Sequence, residues 1–240
     1  MRRFILIAIC LSVTPPVFAN WFYDIKNIIF QRSEHKADTE ITDSNIAAAL
    51  KQALLTGSDA VVSQLSASGG FNDDRNIRIE LPQALGAVQK TLTKVGLGDS
   101  LGALEDRLNA AAEVATVKAK PLFVDAIQAL SWTDVRAILN GPDDAATAYF
   151  QHHMAAALSA EMRPVVTDSL NEVGAVRLYN TMMDSYHALP FMPQVEADLS
   201  GHVTNKSIAG LFHYLALEEK SIRSDPARHT SELLSKVFSP

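Results

Sequence analysis

Apolar side chains recur every three to four positions along most of this 240-residue chain, which is the spacing of one face of an α-helix. The first such run follows Thr42 and Asp43, residues that suit a helix start. Further runs follow near residues 82–95, 99–115, 121–130, 131–140, 142–174, 176–189 and 204–224. The pattern predicts an all-α fold: a single multi-helix domain, orthogonal or bundle-like, of about eight or nine helices over residues 42–240.

Several predicted helices carry local start and stop signals. Ser131 and Asp134 have the spacing of a capping box, in which each side chain satisfies a free backbone N–H. Gly174 suits the end of the preceding helix, and Pro164 predicts a kink within it. Thr204 is the predicted cap of the last long helix.

Residues 66–82 are the main exception to the helical pattern. Gly69 and Gly70 end the first helix, and the alternation of apolar and polar residues over 77–81 is typical of a short extended segment. Oxygen-bearing side chains occupy alternate positions, as in a calcium loop: Asn72, Asp74 and Asn76. Ile77 and Gln83 stand where such a loop needs glycine and glutamate, so a turn with side-chain-to-backbone hydrogen bonds is the favoured interpretation.

Residues 1–19 have the three-part layout of a secretory signal peptide. Arg2 and Arg3 precede an apolar stretch far shorter than the roughly 20 residues that span a bilayer, and Ala19 is the small residue of a cleavage site. The sequence therefore predicts cleavage after Ala19 and a periplasmic or secreted protein.

Residues 20–41 combine an amphipathic arm with a polar linker. The segment NWFYDIKNIIF places its large apolar side chains on one side of a short helix: Trp21, Phe22, Ile25, Ile28 and Ile29. Such an arm can dock in a partner's groove or lie at a bilayer interface. Folding back onto its own domain is the alternative.

Charge and cysteine content narrow the classes of partner. Loss of Arg2 and Arg3 with the signal peptide changes the formal net charge from −6 to −8, which argues against nucleic acid as a partner. Cys10 is the single cysteine and leaves with the signal peptide, so the mature chain is expected to have no disulfide. No Walker loop, Rossmann glycine run or HExxH motif is present, and we expect no cofactor and no metal.

Four carboxylates are weak catalytic candidates: Asp143, Asp144, Glu218 and Glu219. The aspartates follow a Gly-Pro turn, where helix-start carboxylates explain them without catalysis. Glu219 and Arg223 are spaced for a salt bridge on a helix surface. A hydrolase with a carboxylate site is therefore the least favoured function.

Two further polar sets have structural and functional interpretations. Glu105, Asn109 and Glu113 form a row at four-residue spacing beside an apolar face, which is typical of a solvated flank and less often of a groove. The separated histidines could converge in space as a metal or acid/base group: His187, His202, His213 and His229.

A cluster of soft and aromatic side chains supplies the predicted ligand-binding residues. They are Tyr179, Met182, Met183, Tyr186, Phe191 and Met192. Methionine adapts to irregular apolar surfaces, and helical bundles hold ligands between their helices. A carrier of this kind predicts a cavity of several hundred cubic ångströms, whereas the alternative is that the cluster is simply core.

From Ala47 onward the chain resembles the bacterial family DUF4197, a domain of unknown function. The resemblance rests on the stretches LKQALLTGSDAVVSQLS, IELPQALGAVQKTLTKVGLG, FVDAI, DAATAYF, SLNEVG, YNTMMDSYHALPF and EEKSIRSDPARHTSELLSKVF. It implies a helical, secreted or envelope-associated protein, lipid-anchored in some relatives. This chain departs there, because its signal peptide lacks a usable lipobox. The resemblance implies no activity.

These observations favour a periplasmic, non-enzymatic helical protein. Binding of an apolar small molecule or lipid between helices is the leading hypothesis. The alternative is an envelope protein-interaction module that uses the N-terminal arm.

Overall fold

The computed structural model describes residues 42–224, which form helices joined by turns and irregular segments, with no β-strand in that range. The α-helices are α1 (Asp43–Leu65), α2 (Gly86–Lys94), α3 (Gly98–Thr116), α4 (Ala119–Gln128), α5 (Trp132–Leu139), α6 (Ala145–Glu172), α7 (Ala175–His187) and α8 (Leu199–Ser224). A 3₁₀ turn, Gln83–Leu85, precedes α2. The all-α prediction is confirmed for these residues. The predicted total of eight or nine helices includes a short terminal helix, which lies outside the described range.

The local start and stop signals work as the sequence predicts. Thr42 Oγ1 accepts a hydrogen bond from Asn45 N (3.2 Å) at the start of α1. At the start of α5, Ser131 Oγ accepts from Asp134 N (3.2 Å) and Asp134 Oδ2 accepts from Ser131 N (2.9 Å), which completes the capping box. Gly174 separates α6 from α7 with a left-handed φ of 72°, a conformation that favours glycine.

The predicted start of the last long helix is wrong. The helix α8 begins at Leu199, five residues before Thr204. Asp198 Oδ1 accepts from Gly201 N (2.8 Å) at this start. Thr204 lies inside the helix and is buried, and its hydroxyl donates to Ser200 O (2.7 Å).

The centre of the domain is formed by α3, α6 and α8, which all pack on one another. The helices α6 and α8 are antiparallel, since Thr147 contacts Glu219 at one end and Thr167 contacts Ser200 at the other. Around this centre, α1 packs on α4 and α8, and α7 packs on α2 and α3. In the described range, no helix is both long and apolar enough to cross a bilayer.

Small side chains set how closely these elements approach. Ala111, Ala112 and Ala115 of α3 are fully buried. A Cβ on Gly210 of α8 would lie 2.9 Å from Cε1 of Phe71, which is closer than carbon atoms pack. Glycine at position 210 therefore lets the buried ring of Phe71 anchor the segment after α1 onto α8.

Candidate functional site

The non-helical segment between α1 and α2, residues 66–82, is here named the clamped loop. It runs as turns to residue 77 and continues without regular structure to residue 82. Buried side chains of the loop, among them Phe71, Ile77 and Ile79, belong to the main core. Its backbone needs hydrogen-bond partners, because buried N–H and C=O groups without them are costly.

Asn109 of α3 supplies partners to the middle of the clamped loop. Its side chain has no exposed surface. Its Oδ1 accepts from Ile79 N (2.8 Å), and its Nδ2 donates to Ile79 O (2.9 Å) and to Glu105 O of its own helix (2.8 Å). The side-chain amide thus takes both backbone groups of Ile79, as a neighbouring strand would in a sheet.

Two glutamates of α3, one helical turn to either side, hold the rest of the loop. Glu113 is 8% exposed, and its Oε1 accepts from Phe71 N (3.1 Å) and Asn72 N (3.3 Å). Glu105 Oε1 accepts from Leu81 N (3.3 Å). The interpretation of this row as a solvated flank is therefore wrong. Spacing by four residues did place the three side chains on one face, and that face covers the clamped loop.

Arg78 bridges the middle of the loop and connects it to α3. Its Nη1 donates to Asn72 O (2.7 Å) and to Asn72 Oδ1 (2.5 Å). Its Nη2 donates to Asp106 Oδ1 (2.9 Å) and lies 3.8 Å from Glu105 Oε2. The guanidinium therefore connects the loop to α3 through charge-assisted hydrogen bonds.

The helix α8 contacts the loop from the other side. His202 Nε2 donates to Glu80 O (2.8 Å), and Tyr214 OH donates to Asp74 Oδ2. Burial and the hydrogen bond to Asp74 raise the pKa of the Tyr214 hydroxyl above its ordinary value. Tyr214 is therefore neutral near pH 7 and keeps its proton for this contact.

The outer side of the clamped loop borders a solvent-open concavity, here named the loop concavity. Its volume is about 370 Å³, within the range of about 300–1,000 Å³ typical of small-molecule sites. Its lining is mostly polar: Gln64, Ala67, Ser68, Gly69, Gly70, Asp73, Asp74, Arg75, Asn76 and Tyr214. Sequence reasoning missed this site, because Tyr214 is 140 residues from Asp74.

The turn interpretation of the alternate oxygens agrees with this geometry. Asp74 Oδ1 accepts from Asn76 N (2.9 Å), while Asp74 Oδ2 and Asn72 Oδ1 are occupied by Tyr214 and Arg78. Within residues 42–224, no three histidine, cysteine, aspartate or glutamate residues are grouped as a metal site requires.

Glu219 of α8 has a buried structural environment. It is 7% exposed, and its Oε1 accepts from Ala146 N (2.9 Å) while its Oε2 accepts from Thr147 N (2.8 Å) and Thr147 Oγ1 (2.9 Å). Arg223 Nη2 donates to Glu219 Oε1 (2.8 Å) and to Ile138 O (2.8 Å). The predicted surface salt bridge is instead a buried ion pair that caps the start of α6 from another helix.

The two predicted aspartates lie just ahead of α6 and are exposed. Asp144 is the residue that precedes the helix, yet its side chain makes no capping hydrogen bond. Glu219 occupies the N–H groups that Asp144 was expected to satisfy. The predicted helix-start location is right, but the residue that caps this helix lies 75 positions away.

Glu218 and Glu219 both line a small cavity between α1, α4, α6 and α8. Its volume is about 30 Å³, comparable to the volume of one water molecule in the liquid. Most of the other lining is apolar: Ala53, Leu54, Phe123, Phe150, Leu215 and Ile222. A cavity of this size holds no apolar ligand.

The predicted ligand-binding cluster is divided between core and surface. Met182, Met183 and Tyr186 are buried in the main core, and Tyr179 and Met192 pack against it. Tyr179 OH accepts from Ala197 N (3.2 Å). Phe191 is 100% exposed and has a left-handed φ of 64°. Ligand binding by this cluster stays a prediction, and a ligand among its buried members would require the helices to separate.

The conformation of Phe191 leads to a stability prediction. A left-handed φ costs a bulky residue about 1 kcal/mol, and asparagine tolerates it better. The exposed ring buries no area in return. Phe191→Asn is therefore expected to raise the free energy of unfolding by about 0.5–1 kcal/mol, as measured by urea denaturation. Phe191→Ala keeps the strain and is expected to change little; equal destabilisation by both variants would show that the ring packs.

The arm residues Trp21, Phe22, Ile25, Ile28 and Ile29 lie outside the described residues, and so does His229. Docking by this arm therefore stays a prediction.

The fold and the loop concavity define an all-α protein with a surface polar site built on a clamped loop. The chain belongs to the family described as Protein of unknown function (DUF4197), which it matches over residues 40–239. No curated protein and no solved structure matches the chain.

Proposed function

We propose that this protein is a non-catalytic binding protein and that the loop concavity receives a small polar ligand. One observation carries the proposal: three side chains of α3, two of them buried, satisfy the backbone of the loop that forms most of the concavity. Ordering a loop costs conformational entropy. A loop that is already ordered binds without that cost, which is the advantage of preorganisation.

The lining of the concavity favours a polar ligand over the predicted apolar one. Side-chain hydroxyl, amide, carboxylate and guanidinium groups surround it, and such groups provide specificity through hydrogen bonds. The cavity of about 30 Å³ beside Glu219 is much smaller than the several hundred cubic ångströms expected of an apolar carrier. Support for a lipid or apolar ligand is therefore weaker.

A hydrolytic function has the least support among the three hypotheses. Glu219 accepts hydrogen bonds from Ala146, Thr147 and Arg223, so its oxygens have no capacity left for a substrate. Asp143 and Asp144 are exposed to solvent and line neither of the two concavities described above.

We also propose that binding takes place outside the cytoplasm. The support is the signal-peptide pattern of residues 1–19 and the predicted cut after Ala19. Amino-terminal sequencing of the protein recovered from a periplasmic fraction would give Asn20 as the first residue. Recovery of Met1 in the cytoplasmic fraction would contradict export.

The binding proposal is tested by blocking the concavity. Saturation-transfer NMR on the mature chain would use a panel of amino acids, dipeptides, disaccharides and phospholipid headgroups. Ser68 is an exposed residue of the lining, and Ser68→Trp fills the space without changing its charge. Ser63→Trp places the same side chain on an exposed position of α1 that is outside the lining.

We expect at least one class of the panel to bind the unmodified protein and Ser63→Trp, and to lose binding in Ser68→Trp. Binding that survives Ser68→Trp would place the ligand elsewhere, and binding of no class would overturn the proposal. An apolar adduct in native mass spectrometry of the protein from its own host would favour the carrier hypothesis instead.

A further inference from the structure

Two opposite charges in the loop concavity have no partner among the described residues. The Asp73 carboxylate and the Arg75 guanidinium both belong to the lining. Within residues 42–224, neither takes part in a side-chain hydrogen bond or an ion pair, including one with the other. Both side chains are exposed, so both are accessible to a ligand.

The neighbouring charges of the same loop are engaged in the fold. Asp74 accepts from Asn76 N and Tyr214 OH, and Arg78 donates to Asn72 and Asp106. The loop therefore contains one acidic and one basic residue that hold its shape, while the side chain of Glu80 is exposed and lies outside the lining. A second acidic residue and a second basic residue face the concavity.

The surroundings of Asp73 favour a cation on that side. The helix α1 ends at Leu65 with no basic residue in its last turn, so none of its own side chains offsets the negative end of its dipole. Gln64, in that last turn, and Ala67, just beyond it, also line the concavity. An ammonium group is attracted by the helix end and by the carboxylate together.

Arg75 supplies the complementary group for an anion. A guanidinium presents parallel N–H groups that match the two oxygens of a carboxylate. A volume of about 370 Å³ accommodates a small molecule. Complementarity to both charges therefore requires an ammonium and a carboxylate within one small molecule.

We infer that the loop concavity binds a zwitterion of the amino acid or short peptide class, with the ammonium at Asp73 and the carboxylate at Arg75. The inference rests on the proposed function and specifies the class of ligand. Because the site is open to solvent and the ligand has few atoms, a Kd of about 1–10 mM is expected for a dipeptide.

The test uses glycylglycine and two analogues that each lack one charge. N-acetyl-glycylglycine has no ammonium, and glycylglycinamide has no carboxylate. Binding to the mature chain is followed by NMR titration of the amide resonances of residues 67–76. We expect glycylglycine to shift these resonances and each analogue to bind about fivefold more weakly, as for exposed ion pairs.

Variants assign each charge to its partner. In Asp73→Asn, glycylglycine and N-acetyl-glycylglycine are expected to bind equally weakly, whereas glycylglycinamide is expected to bind more weakly than either. In Arg75→Gln, glycylglycine and glycylglycinamide are expected to bind equally weakly, whereas N-acetyl-glycylglycine is expected to bind more weakly than either. Asp168→Asn changes an exposed carboxylate of α6 outside the lining and is expected to leave all three affinities unchanged.

Equal binding of the three peptides, or shifts outside residues 67–76, would overturn the zwitterion inference. Failure of all three peptides to bind would overturn it as well. The proposed function would survive either result if another class of the panel bound the protein and was blocked by Ser68→Trp. If no class did so, both proposals would fail.

Discussion

Replacing Glu219 with alanine is expected to lower the free energy of unfolding by about 3–5 kcal/mol. The change leaves the Arg223 guanidinium, whose side chain is 10% exposed, without its carboxylate. It also leaves Ala146 N–H and Thr147 N–H at the start of α6 without acceptors. Urea denaturation followed by circular dichroism would measure the loss.

Three companion variants test whether Glu219 stabilises the fold through the ion pair with Arg223 and the cap of α6. Glu161→Ala removes an exposed carboxylate of α6 and is expected to change stability by less than about 0.5 kcal/mol. Adding Arg223→Ala to Glu219→Ala is expected to cost less than the sum of the two single changes, because both members of the ion pair are then removed together. Glu219→Gln is expected to be intermediate. Full stability of Glu219→Ala would contradict the structural role and would return Glu219 to the list of catalytic candidates.

Replacing Asn109 with alanine is expected to lower the free energy of unfolding by about 2–5 kcal/mol. The substitution leaves the buried N–H and C=O of Ile79 without their present partners. Hydrogen exchange at the Ile79 amide is expected to become faster than in the unmodified protein. Denaturation and exchange measurements on the same variant check both effects.

Asn171→Ala is the matched control for this prediction. Asn171 Nδ2 donates to Thr167 O (2.9 Å) four residues earlier on an exposed helix position, as Asn109 Nδ2 does to Glu105 O. Without the loop contact, its loss is expected to be neutral or stabilising by up to about 0.5 kcal/mol, since alanine favours helix. Equal effects at both positions would mean that the contact with Ile79 contributes little.

Asn109→Ala and Glu219→Ala are also expected to differ in their effect on ligand binding at the loop concavity. If Asn109 holds the clamped loop in its binding conformation, Asn109→Ala should weaken ligand binding in a protein that is still folded at low temperature. Glu219 accepts its hydrogen bonds from the start of α6 and from Arg223, so Glu219→Ala should leave the affinity of the folded protein unchanged. This contrast separates local positioning from global stability.

Most of the secondary structure could be predicted from the sequence, because helix periodicity and capping depend on residues close together in the chain. The Ser131–Asp134 capping box and the left-handed Gly174 depend on residues within one helical turn. The predicted start of α8 is wrong because aspartate and threonine are both acceptable N-caps, so local sequence does not distinguish Asp198 from Thr204. Asp198 caps the helix in the structure, and its carboxylate also pairs with Arg163 of α6 (2.9 Å).

The candidate site could not be predicted from the sequence, because it depends on contacts between residues that are far apart in the chain. Spacing by four placed Glu105, Asn109 and Glu113 on one face of α3, yet spacing does not say what covers that face. Nothing local distinguishes a solvated row from one that lies under a loop. The available signal was a polar row beside an alanine-rich face, in a chain whose residues 66–82 depart from the helical pattern and need hydrogen-bond partners for their backbone.

The helices, most of their ends and the turn chemistry of residues 66–82 could be predicted from the sequence, because these features follow from periodicity and short-range hydrogen bonds. Three contacts follow from the packing of the helices instead: Glu219 caps α6, Asn109 bonds both backbone groups of Ile79, and Tyr214 donates to Asp74. Each of these contacts joins residues at least 30 positions apart. Burial then makes each polar group require a partner, and packing, which no local pattern encodes, selects which partner it meets.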